Sequence, residues 1–236
     1  PRGADVPNEP IRLRLTDVDN DGNLDAVVAA GQFFAEVATL LGNGDGTFGE
    51  TLSTSTGLDA NGLDVGDIDN DGQTDAVAVS SSGEFSVLLG NGDGTYSEQA
   101  QGDLIGFTHD VALGDLDNDG NLDLLFGEPS GDRLFVRTGN GDGTFNNDGQ
   151  YGVGFFAGQL TLVDFNGDGN LDVASGGTAV LGNGDGSLFA PRSIPLGGNG
   201  RLLTTGDFNN DGRRDLLAGV FNGFSVALGQ AGGGYA

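Results

Sequence analysis

The chain has 236 residues, with 35 acidic side chains, nine basic ones, all arginine, and a formal net charge of −26. So acidic a chain repels nucleic acid and anionic membrane surfaces, and both are excluded as partners on that ground. Cysteine is absent, which removes disulfide scaffolds and thiol chemistry, and no apolar run approaches the length needed for membrane insertion.

In chain order, residues 11–15 (IRLRL) alternate with a period of two, which predicts a strand. An acidic loop follows at 17–25 (DVDNDGNLD), then a small apolar run at 26–29 (AVVA), then a glycine-rich marker at 40–48 (LLGNGDGTF). The same succession returns four times. The acidic loops recur at 67–75 (DIDNDGQTD), 115–123 (DLDNDGNLD), 164–172 (DFNGDGNLD) and 207–215 (DFNNDGRRD). The marker recurs at 88–96, 138–145 and 181–189, and as a worn copy, LGQAGGGY, at 228–235. From the last glycine of each intact marker to the next acidic loop is always 21 residues, as from Gly46 to Asp67. Length therefore varies only between loop and marker, and the fourth repeat is the shortest there.

Each repeat carries four strand-like runs. The first precedes the loop (63–65, 111–113) and the second follows it (76–79, 124–126). The third precedes the marker (85–89, 224–228), and a more polar fourth follows the marker's aromatic (96–100). No window has a helical period. Four short strands repeated every forty-odd residues predict an all-β protein built as a β-propeller of four-stranded antiparallel blades. The polar fourth strand suits an outer edge that must resist pairing with other chains. Counting from Gly233 through the two chain ends to Asp17 gives 20 residues, against 21 elsewhere. The expectation is one domain over 1–236, a closed five-bladed ring whose last blade is completed by the N-terminal strand at 2–6.

The acidic loops carry the chemistry. The first three place carboxylates at positions 1, 3, 5 and 9: Asp17, Asp19, Asp21 and Asp25; Asp67, Asp69, Asp71 and Asp75; Asp115, Asp117, Asp119 and Asp123. The fourth offers Asp164, Asn166, Asp168 and Asp172, and the fifth Asp207, Asn209, Asp211 and Asp215. Grouped carboxylates repel one another unless a cation sits among them, and an all-oxygen set of this kind suits Ca²⁺. Position 7 (Asn23, Gln73, Asn121, Asn170, Arg213) would add its backbone carbonyl, and the glycine at position 6 permits the sharp turn. One acidic turn would be an ordinary solvated loop; five in one register predict up to five bound Ca²⁺. The loops hold eighteen of the 35 acids, and five ions would bring the net charge from −26 to −16. By charge count the fifth site is weakest, since Asn209 replaces a carboxylate and Arg213 and Arg214 oppose the cation.

Other calcium folds fit less well. An EF-hand needs flanking helices and a glutamate at position 12, where these loops have Val28, Ala78, Phe126, Ser175 and Ala218. Tandem nonapeptide calcium rolls need their motif in immediate succession, and GNGDG occurs once per repeat. In GNGDG, Asn-Gly and Asp-Gly are the residues of a tight turn. The aromatics that follow it, Phe48, Tyr96, Phe145, Phe189 and Tyr235, are expected between blades.

These loops and the strands after them resemble the FG-GAP and VCBS repeats, and Phe126-Gly-Glu-Pro129 is similar to the short Gly-Ala-Pro ending of that family. The family includes the integrin α-subunit propeller and some fungal and bacterial lectins. The resemblance implies that each loop joins the first two strands of a blade and binds Ca²⁺, and that a sugar, where one binds, sits between blades. Its rings more often have six to eight blades, so five is a departure.

For catalysis the sequence is thin. His109 is the only histidine and no serine lies in a nucleophile-elbow context, so no catalytic residue is assigned. Asp64, Asp110 and Glu128 have no partner that spacing identifies. Arg12 and Arg14 would meet an anionic ligand or pair with Asp64, and Tyr151, Phe155 and Phe156 would form a patch or pack between blades. The expectation is a calcium-binding, non-catalytic recognition or scaffold module, secreted or at the cell surface, because weak sites need extracellular calcium to fill. Its partner would be a glycan or an extracellular protein. The alternatives are a glycan-binding lectin and a non-catalytic propeller domain of a larger secreted enzyme or surface protein.

Overall fold

The computed structural model describes residues 10–30, 35–103, 108, 110–128, 132–146, 149–153, 159–175, 178–194, 203–220, 223–230, 232 and 234–236. Among them every regular element is a strand, and no helix is long and apolar enough to cross a membrane. The first antiparallel sheet runs in order from β1 (Pro10–Thr16) through β2 (Asp25–Ala30) and β3 (Glu36–Gly42) to β4 (Phe48–Ser55). The second repeats that order with β5 (Ala60–Gly66), β6 (Asp75–Ser80), β7 (Glu84–Gly90) and β8 (Tyr96–Asp103). The third comprises β9 (Val111–Gly114), β10 (Asp123–Glu128), β11 (Arg133–Arg137) and β12 (Gly149–Gly152). The fourth comprises β13 (Leu160–Val163), β14 (Asp172–Ser175), β15 (Thr178–Val180) and β16 (Arg192–Ser193). The fifth repeat has β17 (Leu203–Gly206), β18 (Asp215–Val220) and β19 (Gly223–Ala227), followed by a separate pair, β20 (Gly229–Gln230) with β21 (Gly234–Tyr235).

The up-and-down order within each sheet is the one the four-run repeat predicts. The closing segment at 2–6, His109, Phe155 and Phe156 lie outside the described residues. The chain forms two compact units, 1–113 with 139–145 and 114–138 with 146–236.

Second strands read as continuous small apolar runs because both their faces are covered. All six residues of β2 (DAVVAA) and of β6 (DAVAVS) are buried. Fourth strands are the reverse, with β4 and β16 largely exposed. The core of the first unit joins Val27, Ala29 and Val37 to Ala76, Ala78 and Leu88, so it forms where consecutive sheets meet. In the second unit Ala174 and Ala179 meet Leu216, Ala218 and Ala227 in the same way. Burial at about 25 cal/mol per Å² of apolar surface makes these faces the main source of cohesion.

The aspartate at position 9 of each acidic loop is a structural pin. Asp25 Oδ2 accepts the Val18 N–H at 2.8 Å, closing the loop, and its Oδ1 accepts the Gly42 N–H at 2.7 Å, holding the glycine-rich turn. Asp75 repeats this with Ile68 and Gly90, both at 2.7 Å. Asp172 does so with Phe165 and Gly182, and Asp215 with Phe208 and Gly229. Asp123 accepts the Leu116 N–H at 2.7 Å. All five are 0% exposed. Burial pushes the carboxyls of Asp75 and Asp172 up, against the opposing pull of the two amides each accepts. The glycine that opens the marker is required by close approach: a Cβ on Gly42 would lie 2.2 Å from the Leu24 carbonyl oxygen, and one on Gly182 2.1 Å from that of Leu171.

Of the five marker aromatics, Tyr96 is buried within the core of the first unit, and Tyr235 meets Phe165 edge-on at 5.7 Å. Burial raises the Tyr96 phenol to about 12. Phe145 is half-buried. Phe48 and Phe189 depart from expectation, being 40% and 52% exposed. In the fourth repeat the extra residue in GNGDGSLF gives the bridging position opposite Gly182 to Leu188, which is buried, and turns Phe189 outward. Phe48 pairs with Gly42 as Tyr96 pairs with Gly90, but without comparable cover. Arg14 pairs with Asp64 at 2.7 Å, and Asp64 also accepts the Leu113 N–H. Arg12 reaches the buried Asp110 at 3.3 Å. These arginines are thus structural partners of the two aspartates.

Replacing Asp75 by alanine leaves the buried amides of Ile68 and Gly90 unpaired, at about 1–3 kcal/mol each. The expected loss is about 2–5 kcal/mol by urea unfolding in chelator, where no ion contributes. Asp75→Asn, which keeps one acceptor oxygen, should fall between alanine and the parent.

Candidate metal centres

Each acidic loop folds around its own carboxylates. In the first, Asp17 accepts the N–H groups of Asp21 at 3.1 Å and Gly22 at 2.9 Å. Asp19 accepts the Asp21 N–H at 3.2 Å, and Asp21 accepts that of Asn23 at 2.7 Å. The other loops repeat the scheme, as with Asp67 and Asp71 in the second and Asp207 and Asp211 in the fifth. The amides at positions 5, 6 and 7 are therefore held inward, and the carboxylate heads are gathered over them.

Two positions in each loop have left-handed backbone. The glycine at position 6 has φ between 82° and 92° across the five loops. Position 4 is Asn20, Asn70, Asn118 and Asn210 at φ 59° to 61°, or Gly167 at 76°. Asparagine and glycine are the residues that tolerate this region. Position 2 also has a fixed role: Val18, Ile68, Leu116 and Phe165 are buried plugs beneath their loops. Neither position 2 nor position 4 stood out in the sequence reading, though both were legible as an apolar residue after the first aspartate and an Asn or Gly before the third carboxylate.

Three carboxylates converge in each of the first three loops, with ligand atoms all within 4.8 Å of one another. The sets are Asp17, Asp19 and Asp25; Asp67, Asp69 and Asp71; and Asp115, Asp117 and Asp123. The fourth predicted carboxylate of each loop, Asp21, Asp75 or Asp119, stands outside its set. Asp21 and Asp119 instead take the side-chain amides of Asn23 and Asn121 at 2.8 and 2.9 Å. Burial, then the neighbouring carboxylates, push Asp19, Asp69 and Asp117 up. Like charges held together in this way are what a divalent cation relieves.

The last two loops differ. Asn166 and Asn209 donate their side-chain amides to Asp168 and Asp211 at 2.8 and 3.0 Å. Arg213 also pairs with Asp211 at 3.0 Å. The amide of Arg213 first, with Asn209 and the guanidinium adding to it, pulls the Asp211 carboxyl down. Asp207, Asn209 and Asp211 are exposed, where Asp164 and Asn166 are half-buried. The side chains at position 7 face neighbouring groups: a Cβ on Gly44 would lie 2.3 Å from Asn23 Oδ1, and one on Gly184 2.2 Å from Asn170 Oδ1.

Consecutive loops are also tied to each other. Asn20 donates to Gln73 Oε1 at 3.3 Å, and Asn118 donates to Asn170 Oδ1 at 3.0 Å. Position 4 of one loop thus reaches position 7 of the next. The glycine-rich turns are a second acidic series without that character. Asp45, Asp93, Asp142 and Asp185 each accept the hydroxyl and amide of the Thr or Ser two residues on, which pulls them down. A cleft of about 340 Å³ lies beside the fourth and fifth loops, lined by Asp164, Asn166, Arg213 and Arg214 among others.

The FG-GAP-like repeat model matches residues 17–78, 67–126 and 115–175. No curated protein sequence matches the chain. Among solved structures, the chain is similar to an Agrocybe aegerita lectin described as specifically recognising non-reducing terminal N-acetylglucosamine, at 20% identity and TM-score 0.69, covering 97% of this chain and 65% of the lectin. BBS1N, solved in complex with ARL6DN, matches at 14% identity and TM-score 0.61, covering 92% of this chain and 66% of that one. The Vibrio cholerae biofilm matrix protein Bap1 matches at 19% identity and TM-score 0.57, covering 96% of this chain and 38% of Bap1. The chain thus spans less than two thirds of the length of each, and at these identities the likeness is one of fold. Three overlapping matches extend over more than half of the chain: it belongs to the FG-GAP-like repeat family.

Proposed function

We propose that the chain is a calcium-stabilised five-bladed propeller that acts outside the cell as a non-catalytic recognition or scaffold module. The observation that carries the reading is the convergence of three carboxylates within 4.8 Å in each of the first three loops. The donors are all oxygen, as Ca²⁺ requires, and the left-handed glycine gives the loop its turn. Asp17, Asp19 and Asp25 would hold one ion, with Asp21 and the Asn23 carbonyl to complete its shell, and the other loops correspondingly. Bound calcium would neutralise the carboxylate repulsion that adds to burial in raising Asp19, Asp69 and Asp117. It would also fasten the loop between the first two strands to the aspartate that pins the third, so binding is linked to folding.

Millimolar Ca²⁺ should raise the melting temperature and EDTA should lower it. An ion bound only by the folded state adds about 2.7 kcal/mol per site at a hundredfold excess over Kd. Mg²⁺ should substitute poorly, since it demands a tighter octahedron. A melting curve indifferent to chelator and calcium rejects the reading.

The sites should fill unequally. Charge count, exposure and the Arg213–Asp211 pair all weaken the fifth. In calorimetric titration Asp119→Ala should remove a tight site, and Asp211→Ala should alter only the weakest class. The opposite outcome would mean that loop rigidity outweighs charge.

Glycan recognition is the second reading. It is favoured by the lectin likeness and by the cleft beside the fourth and fifth loops, whose size is within the range of about 300–1,000 Å³ for ligand pockets. A glycan array that includes terminal N-acetylglucosamine separates this from a scaffold role: binding lost in EDTA supports a calcium-dependent lectin, and a blank array with calcium present leaves the scaffold.

A further inference from the structure

We propose that Asn20 and Asn118 couple the calcium sites of consecutive loops, so that an ion in the first loop strengthens the second site and an ion in the third strengthens the fourth. The inference rests on the calcium reading above and adds how those sites act on one another.

The tie joins two positions that are not carboxylates. Asn20, at position 4 of the first loop, donates its side-chain amide to Gln73 Oε1, at position 7 of the second, at 3.3 Å. Asn118 of the third loop donates to Asn170 Oδ1 of the fourth at 3.0 Å. Each acceptor is half-buried and lies against the glycine-rich turn of its own repeat, where a Cβ on Gly92 or Gly184 would collide with its side-chain oxygen. Other contacts run alongside. Thr74 Oγ1 donates to the Asp17 carbonyl at 3.5 Å, and the Gly186 N–H donates to the Leu116 carbonyl at 3.1 Å.

Both ends of the tie adjoin groups that would hold an ion. Asn20 has left-handed backbone, φ 59°, between Asp19 and Asp21, so its side chain is fixed once those carboxylates close on a cation. Gln73 would offer its own backbone carbonyl to the second ion. A residue whose side chain is already held has less freedom to lose when that ion arrives. The ordering cost is then met by the first ion and not again by the second, which is positive coupling without a change of fold. Electrostatics act the other way, since a cation in one loop lowers the pull on a second. That effect is screened, with a Debye length of about 8 Å at physiological salt, whereas a bond between neutral amides is far less sensitive to salt.

The junction between the fourth and fifth loops lacks both halves of the tie. Position 4 is Gly167, which has no side chain. Position 7 is Arg213, exposed and paired with Asp211 of its own loop at 3.0 Å. The cleft of about 340 Å³, lined by Gly167 and Arg213 among others, lies where the tie stands elsewhere. The fifth site is therefore uncoupled from the fourth.

The test reads each loop by its own amide. Gly22, Gly72, Gly120, Gly169 and Gly212 each donate to the first aspartate of their loop, so their NMR signals report its filling. Calcium chloride is titrated into the isotope-labelled chain at physiological and at high salt. Disabling the first loop by Asp19→Ala should weaken binding at Gly72 roughly fivefold, the low end of site–site coupling. In an Asn20→Gly background, where glycine also suits the left-handed backbone, the same change should leave Gly72 unaffected. Gln73→Asn, which copies the Asn118–Asn170 pair, should keep the coupling, and Gln73→Ala should lose it. Gly167→Asn with Arg213→Asn should make binding at Gly212 depend on Asp168, a dependence that Arg213→Asn alone does not create. Coupling that survives Asn20→Gly overturns the proposal, and its fading in high salt would mark it as electrostatic. Sites that bind calcium independently in the parent also overturn it and leave the calcium reading standing. Glycine signals that ignore calcium altogether reject both.

Discussion

A buried carboxylate that accepts two backbone amides is the constraint on which the repeat depends. The aspartate at position 9 sits at the start of the second strand of its sheet, and its two oxygens face opposite ways. One closes the acidic loop that arrives from the first strand, and the other fixes the glycine-rich turn that leaves the third. An isolated buried carboxylate is costly, and here hydrogen bonds to both oxygens offset the desolvation. The turn must come close enough to bond, which is why the residue bonded to Oδ1 is glycine in the four repeats with this contact: Gly42, Gly90, Gly182 and Gly229.

From this pin the division of labour within a loop follows. Position 2 donates to the pin and, in the first four repeats, buries an apolar plug. Position 4 and the glycine at position 6 take left-handed backbone, so that positions 1, 3 and 5 turn their carboxylates over the loop amides. The result is a bowl of oxygens in which burial first, and then the neighbouring carboxylates, raise Asp19, Asp69 or Asp117. The fifth loop shows the same backbone with another answer to the charge: Arg213 supplies a cation from within the chain. The ties from Asn20 to Gln73 and from Asn118 to Asn170 make neighbouring bowls parts of one rim within each unit.

Much of this was legible in the residues. Five loops in one register, the four strands of each repeat and the turn residues of GNGDG are local signals, set by side-chain period and by which residues tolerate positive φ. The structure has them as read, with the four-stranded order in the first four repeats. Arg14 with Asp64 was one of two readings and is the one observed. The aromatics were harder. Tyr96 and Tyr235 are covered, but Phe48 and Phe189 occupy the same motif and are exposed. The single extra residue in the fourth marker decides the case of Phe189 by shifting which side chain opposes Gly182.

The sequence by itself determined the repeat, its strands, the oxygen-rich chemistry of its loops and the places where the chain turns. These depend on interactions within about ten residues, and pattern records them directly. Tertiary structure decided which three of four carboxylates converge, that Arg12 would find Asp110 across 98 residues, and which apolar faces are covered. Those outcomes depend on the neighbouring sheet, whose approach is set by the packing of whole faces. An apolar residue at one register is core in one repeat and surface in another, as Val18 and Phe208 are.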